Sequence, residues 1–237
     1  MSEVAAFFDL DGTLLAANSG RIWLEGERRR GALRRRDAIR ALAFLTAYKL
    51  GIVDVKRALD MAAEALRERD EASFRQEMSA FYLERIVPLR APGAFESIRA
   101  HQAEGHRTIL LTTSTDYLAE AAMADFRLDD RIATRFEVKE GRFTGRLVHP
   151  VPYHRGKVLL AERFAERFGV DLERSYFYSD SVTDLPMLRR VGHPRVVNPH
   201  PRLRRVAERE SLPLLDWGCP PSLIDDTLGR KILALIR

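Results

Sequence analysis

A short apolar run that stops on an aspartate constrains this chain more than any other feature. Residues 4–8, VAAFF, lead straight into Asp9, Leu10, Asp11, Gly12 and Thr13. Such a run, without polar alternation, suits a central strand of a parallel sheet, because helices cover both of its faces. Open α/β sheets bind ligands at the carboxyl ends of their strands, near a topological switch point, and Asp9 stands at such an end. Taken alone, DLDGT could also form a turn closed by Asx-type hydrogen bonds, the weaker of the two readings.

The rest of the chain divides at about Pro88. Residues 18–85 carry apolar side chains at helical spacing (Leu42, Leu45, then Leu59, Ala62, Ala63, Leu66), with breaks near Gly31, Gly51 and Asp70 that predict four helices. After the turn at 91–93 helix alternates with strand: helix 93–104, strand 107–112, helix 115–126, helix 156–168, strand 175–179, helix 184–190 and strand 195–198. A β-hairpin around Glu140-Gly141 is expected over 135–148. The tail TLGRKILALIR reads as a terminal helix. The expected class is α/β, a doubly wound, mainly parallel sheet from residues 1–16 and 88–237, with an all-helical cap inserted over 17–87.

Several function classes are disfavoured. Cys219 is the single cysteine of 237 residues, so the chain has neither an internal disulfide nor a Cys-based zinc site. The start of the chain lacks the basic segment and cleavage site of a signal peptide, and the longest other apolar stretch, 41–48, is too short to span a bilayer. A cytoplasmic protein with no membrane partner is expected. Between Arg21 and Arg40 eight arginines meet Glu25, Glu27 and Asp37, a local excess equal to the whole chain's formal charge of +5. No aromatic stacking motif accompanies that cluster, so no nucleic-acid partner is expected, and a basic nucleic-acid-binding module is the weaker reading.

Four polar segments carry chemistry. Carboxylates gathered in a cleft, as Asp9 and Asp11 would be, repel one another unless a cation joins them, and hard oxygen ligands select Mg²⁺. The strand TILLTTST delivers Thr112, Thr113, Ser114 and Thr115 to the same sheet edge, where hydroxyls and a helix N-terminus suit a phosphoryl group, or where Thr115 simply caps a helix. Lys157 falls near a helix start, a place the helix dipole makes unfavourable for a cation. In YFYSDSVTDLPML, Asp180 and Asp184 lie four apart across a turn, able to cap a helix or to ligate a metal.

Together, DLDGT, TTST, the lysine of RGKV and YFYSDSVTDLPML resemble the haloacid dehalogenase-like superfamily of phosphatases, in its phosphoserine-phosphatase-like branch with a helical cap after the first motif. The hairpin text EGRFTGRLV and the run GHPRVVNPHPRLRRVA extend the similarity over nearly the whole chain. The resemblance implies an Mg²⁺-dependent phosphomonoesterase of a small-molecule phosphate ester. It makes Asp9 the nucleophile that forms an aspartyl-phosphate and Asp11 the acid and base. Thr113 and Lys157 would bind the phosphoryl oxygens, and Mg²⁺ would be held by Asp9, the Asp11 carbonyl and Asp180. Thr13 would brace the nucleophile loop, and Asp184 would order Lys157 or a metal-bound water.

Phosphoserine phosphatases of this type place a glutamate nine residues after the nucleophile to hold the substrate ammonium. This sequence has Asn18 there, which weakens phosphoserine itself; a phosphoserine-like, histidinol-phosphate-like or related substrate is expected, with Asn18 and Arg155 as candidate contacts. Transfer to an acceptor alcohol is an alternative, since it would use the same aspartates.

Overall fold

The computed structural model describes residues 3–29 and 55–220. Its strands are β1 (Ala5–Phe8), β2 (Arg107–Thr115), β3 (Asp130–Lys139), β4 (Arg142–Val148), β5 (Tyr176–Ser179), β6 (His193–Val197) and β7 (Leu214–Leu215). They form one sheet in the order β4-β3-β2-β1-β5-β6-β7. Every pairing is parallel except β3 with β4. The apolar run at the start is thus the middle strand, flanked by β2 and β5, and the sheet is an α/β sheet of the doubly wound kind.

Alternation along β1 builds two cores. Ala5 and Phe7 face one cluster with Ala161, Phe164, Met187 and Leu203, from the helices α6 (Arg155–Phe168), α7 (Leu185–Leu188) and α8 (Pro201–Arg209). Ala6 and Phe8 face the other, with Ile98 and Leu118 from α4 (Ala94–Ala103) and α5 (Asp116–Phe126). Phe7 packs edge-on against Phe164 at 6.0 Å, and Phe8 stacks on Tyr178 at 4.7 Å. Burying each phenyl ring contributes roughly 2–3 kcal/mol.

Between β1 and β2 the chain leaves the sheet through α1 (Ser19–Arg29) and comes back through α2 (Val55–Ala65) and α3 (Glu71–Phe81). The outgoing and returning strands of this excursion lie side by side. The Ala16 N–H donates to the Leu89 carbonyl at 2.8 Å, and the Ala91 N–H to the Leu14 carbonyl at 2.9 Å. Asp70 caps α3 by accepting from the Ser73 N–H at 2.8 Å, which accounts for the expected break there. The returning segment grips the hairpin: Glu68 N–H donates to the Phe143 carbonyl, Phe143 N–H to Arg69, and Glu71 N–H to Gly141. Phe74, Tyr117 and Phe143 pack edge to face, with centroids 5.2–5.6 Å apart.

Several elements differ from the sequence expectation. β2 runs on to Thr115, because a register shift after Leu111 lets Thr115 pair with Thr134, and β-branched threonines suit extended backbone. The hairpin is longer than expected; its first strand starts at Asp130 and joins β2, and Glu140 and Gly141 take positive φ in the turn. The helix expected over 184–190 is a 3₁₀ turn, Val182–Asp184, followed by the single turn of α7. Helix α8, opened by His200-Pro201, and the two-residue β7 were not foreseen. The breaks at Gly31 and Gly51, the arginines from Arg30 to Arg40 and the tail helix lie outside the described residues. Among the described residues no helix is long and apolar enough to cross a membrane.

Candidate active site

At the carboxyl edge of the sheet the polar segments converge. Asp9 follows the last residue of β1, and its N–H donates to the Tyr178 carbonyl at 3.0 Å, which continues the β1–β5 pairing one residue further. Its Oδ1 accepts from Lys157 Nζ at 2.8 Å, and the same ammonium donates to Asp184 Oδ2 at 2.7 Å. Ser179 Oγ donates to that Asp184 oxygen at 2.8 Å, so Asp184 is held by strand β5 and in turn holds the lysine. Lys157 reaches the centre because α6 starts hard against the loop before it. A Cβ on Gly156 would lie 2.1 Å from the Val151 carbonyl oxygen, and His154 bends the chain with φ of +52°.

Asp180 and Thr13 lock the two carboxylate loops together. The Thr13 hydroxyl donates to Asp180 Oδ1 at 3.3 Å and accepts from the Asp180 N–H at 3.1 Å. Asp11 is held from both sides, by the Ser19 N–H at 2.7 Å and by the Ser114 hydroxyl at 2.8 Å. The remaining candidates are placed differently. The Thr113 hydroxyl donates to the Pro152 carbonyl at 2.8 Å, and its own carbonyl accepts from Thr134 Oγ1 at 2.7 Å. The Asn18 side-chain oxygen accepts from the Arg21 N–H at 2.9 Å and so caps α1. Arg155 is exposed at the first position of α6.

The electrostatics are those of a site short of positive charge. Among the described residues, Asp9, Asp11, Asp180 and Asp184 meet one ammonium, Lys157. Burial pushes the Asp9 carboxyl up to about 7, against the pull of Lys157 and with help from Asp184. Asp180 is raised well above the usual carboxylate range by burial and then by Asp9 and Asp184. Burial raises Asp11 too, opposed by its hydrogen bonds from Ser19 and Ser114. Lys157 is disfavoured by burial, but Asp184 and Asp9 outweigh that and hold it charged. A divalent cation held by carboxylate and carbonyl oxygens would relieve this imbalance, and an all-oxygen donor set fits Mg²⁺.

Ser19 and Ser114, which hold the Asp11 carboxylate, are positions that sequence reasoning passed over. Ser114 stood in the TTST quartet, but which hydroxyl turns toward Asp11 depends on the register shift in β2. Ser19 acts through its backbone N–H, which carries no signal of its own in the sequence.

A mainly parallel sheet with carboxylates at its switch point and a helical excursion after the first strand defines an α/β protein with a polar site built at the end of its central strand. The chain belongs to the haloacid dehalogenase-like hydrolase family, whose model matches residues 6–189. Among its relatives, a histidinol-phosphatase of Neisseria meningitidis serogroup C is 29% identical over 223 residues, covering 90% of this chain and 98% of the relative. A phosphoserine phosphatase of Mycobacterium tuberculosis is 30% identical over 247 residues, covering 98% of this chain and 79% of the relative. A solved structure of a Bordetella pertussis protein of unknown function superposes with a TM-score of 0.84 at 28% identity, over 92% of this chain and 100% of that one.

Proposed function

We propose that this phosphatase is an Mg²⁺-dependent phosphomonoesterase that works through an aspartyl-phosphate on Asp9. The observation that carries the reading is Lys157 Nζ set between Asp9 Oδ1 and Asp184 Oδ2 at 2.8 and 2.7 Å, at the end of the central strand. Asp9 and Asp180, with the Asp11 carbonyl, would hold the Mg²⁺. When bound, it neutralises charge on the phosphoryl group and keeps Asp9 ionised.

In the first half-reaction an Asp9 oxygen attacks phosphorus, and the bond to the leaving alcohol breaks in line. Asp11, protonated, gives its proton to that alcohol; the upward pull of burial on its carboxyl favours this role. Lys157 neutralises a phosphoryl oxygen while Asp184 keeps the ammonium aimed. In the second half-reaction the Asp11 carboxylate takes a proton from water, which attacks the phosphoenzyme and releases inorganic phosphate. Ser19 and Ser114 orient Asp11 in both halves. Thr113 is proposed to contribute to phosphoryl binding from the loop that ends β2.

The excursion over 17–87 is proposed to act as a lid that reads the leaving group. A small phosphorylated metabolite is the proposed substrate, with histidinol phosphate, phosphoserine and related amino-alcohol phosphates as candidates because relatives carry those activities in their names. Asn18 weighs against ammonium recognition from its position, since its oxygen is committed to the Arg21 N–H.

The experiment uses purified full-length protein, an aryl phosphate and then a panel of phosphorylated metabolites. Activity should require Mg²⁺, vanish with chelator, release inorganic phosphate and be lost in Asp9→Asn. Near-normal Mg²⁺-dependent turnover by Asp9→Asn would overturn the covalent mechanism.

A further inference from the structure

Between the end of α4 and the start of β2, at the opposite end of the strands from Asp9, lies a second cluster of potential metal ligands. His101, Glu104 and His106 place one ligand atom each within 4.8 Å of one another. His101 Nδ1 and His106 Nδ1 are 2.9 Å apart, and the Glu104 carboxylate lies 3.5 Å from His106 Nδ1. We infer that His101, Glu104 and His106 form a binding site for a first-row transition-metal dication, Zn²⁺ in the first instance, separate from the catalytic carboxylates.

Three features support a built site over a chance meeting of side chains. First, all three ligands come from the six-residue segment HQAEGH, whose backbone is closed on itself. The N–H groups of Glu104 and His106 both donate to the His101 carbonyl, at 3.1 and 3.0 Å, and Gly105 takes φ of +74° to make the turn. Little ordering remains to be done on binding. Second, the segment ends α4, and the carboxyl end of a helix favours a cation. Third, the buried His101 already has a partner on its far side: its Nε2 is 2.8 Å from the Tyr178 hydroxyl. With Nε2–H donating to that hydroxyl, the Nδ1 lone pair points at His106, the arrangement by which metal-bound histidines are normally fixed.

The chemistry selects the ion. Two imidazoles and a carboxylate suit zinc, nickel or copper, whereas Mg²⁺ prefers oxygen donors and keeps its waters. Glu104 brings the negative charge that neutral imidazoles lack, and it offsets Arg195, whose charge reaches His101. His106 and Glu104 remain partly open to solvent, which gives the ion a way in. The ion takes the place of the contact between the two Nδ1 atoms, with the ring proton of each neutral imidazole on Nε2, so both histidines stay neutral on binding.

The inference does not depend on the phosphatase reading, and its test needs no turnover. Zn²⁺ is titrated by calorimetry into tag-free, chelator-treated protein, with Mg²⁺ in large excess to occupy the oxygen site, and melting temperatures are followed in parallel. Wild-type protein should bind one Zn²⁺ that raises the melting temperature. Glu104→Gln, at an exposed position, and His106→Ala, at the rim of the cluster, should both remain folded by circular dichroism and bind at least about tenfold more weakly. Equal Zn²⁺ binding by wild type and His106→Ala, or no binding by folded wild type, would overturn the site.

Discussion

Gly12 has φ of +83°, and a Cβ built on it would lie 2.3 Å from Asp180 Oδ2. Both facts require glycine, the first for backbone conformation and the second for the close approach of the Asp180 carboxylate. Gly12→Ala should therefore leave a folded protein by circular dichroism with a strongly raised Mg²⁺ requirement and little turnover. Asp11→Asn should lower kcat by about 10²–10⁴-fold, the span for loss of a general acid and base, with the drop largest for substrates having poor leaving groups. A uniform drop across leaving groups would contradict the role given to Asp11. At this scale the sequence was highly legible for the charged groups: Asp9, Lys157 and Asp184 share one buried network, and Asp180 stands close enough to feel the charges of Asp9 and Asp184. Hydroxyls were harder, because TTST offers four, and the shift in β2 aims Ser114 at Asp11 while Thr113 turns to Pro152.

Among elements, the contact between α3 and the hairpin decides how firmly the excursion is seated. Phe74 is buried between Tyr117 and Phe143, in the core cluster that also holds Phe8 and Leu110. Phe74→Ala should cost about 3–5 kcal/mol in urea unfolding, the usual range for a buried phenylalanine. It should leave binding of inorganic phosphate at the sheet edge far less affected than turnover of a metabolite. The strongly patterned elements could be read from the chain. The apolar β1 and the helices α4, α5 and α6 lie within a residue or two of their expected ends. What escaped were pieces whose form depends on neighbours: β7 is two residues that pair only because β6 presents an open edge. Helix α8 begins at a proline after a run that reads as loop, and only its buried Leu203 and Ala207 tie it to the sheet.

For the molecule as a whole, the notable feature is the two-stranded neck at Leu14–Ala16 and Leu89–Ala91, through which the excursion leaves the sheet and comes back. The neck lies between Asp11 and α1, and the first N–H of α1, that of Ser19, is the one that grips the Asp11 carboxylate. Ser19→Pro removes only that N–H and the hydroxyl, at a helix position where proline is well tolerated. It should lower kcat by about 10–100-fold, the worth of a hydrogen bond to a charged group, with little change in melting temperature. Ser19→Ala, which keeps the N–H, should stay close to wild type. Should both variants behave alike, the backbone contact would be incidental. If the contact matters as expected, displacing α1 also releases the proton-transfer group. Closure over the substrate and arming of the acid would then be a single event, and a phosphate ester too small to hold α1 in place would be bound without being cut.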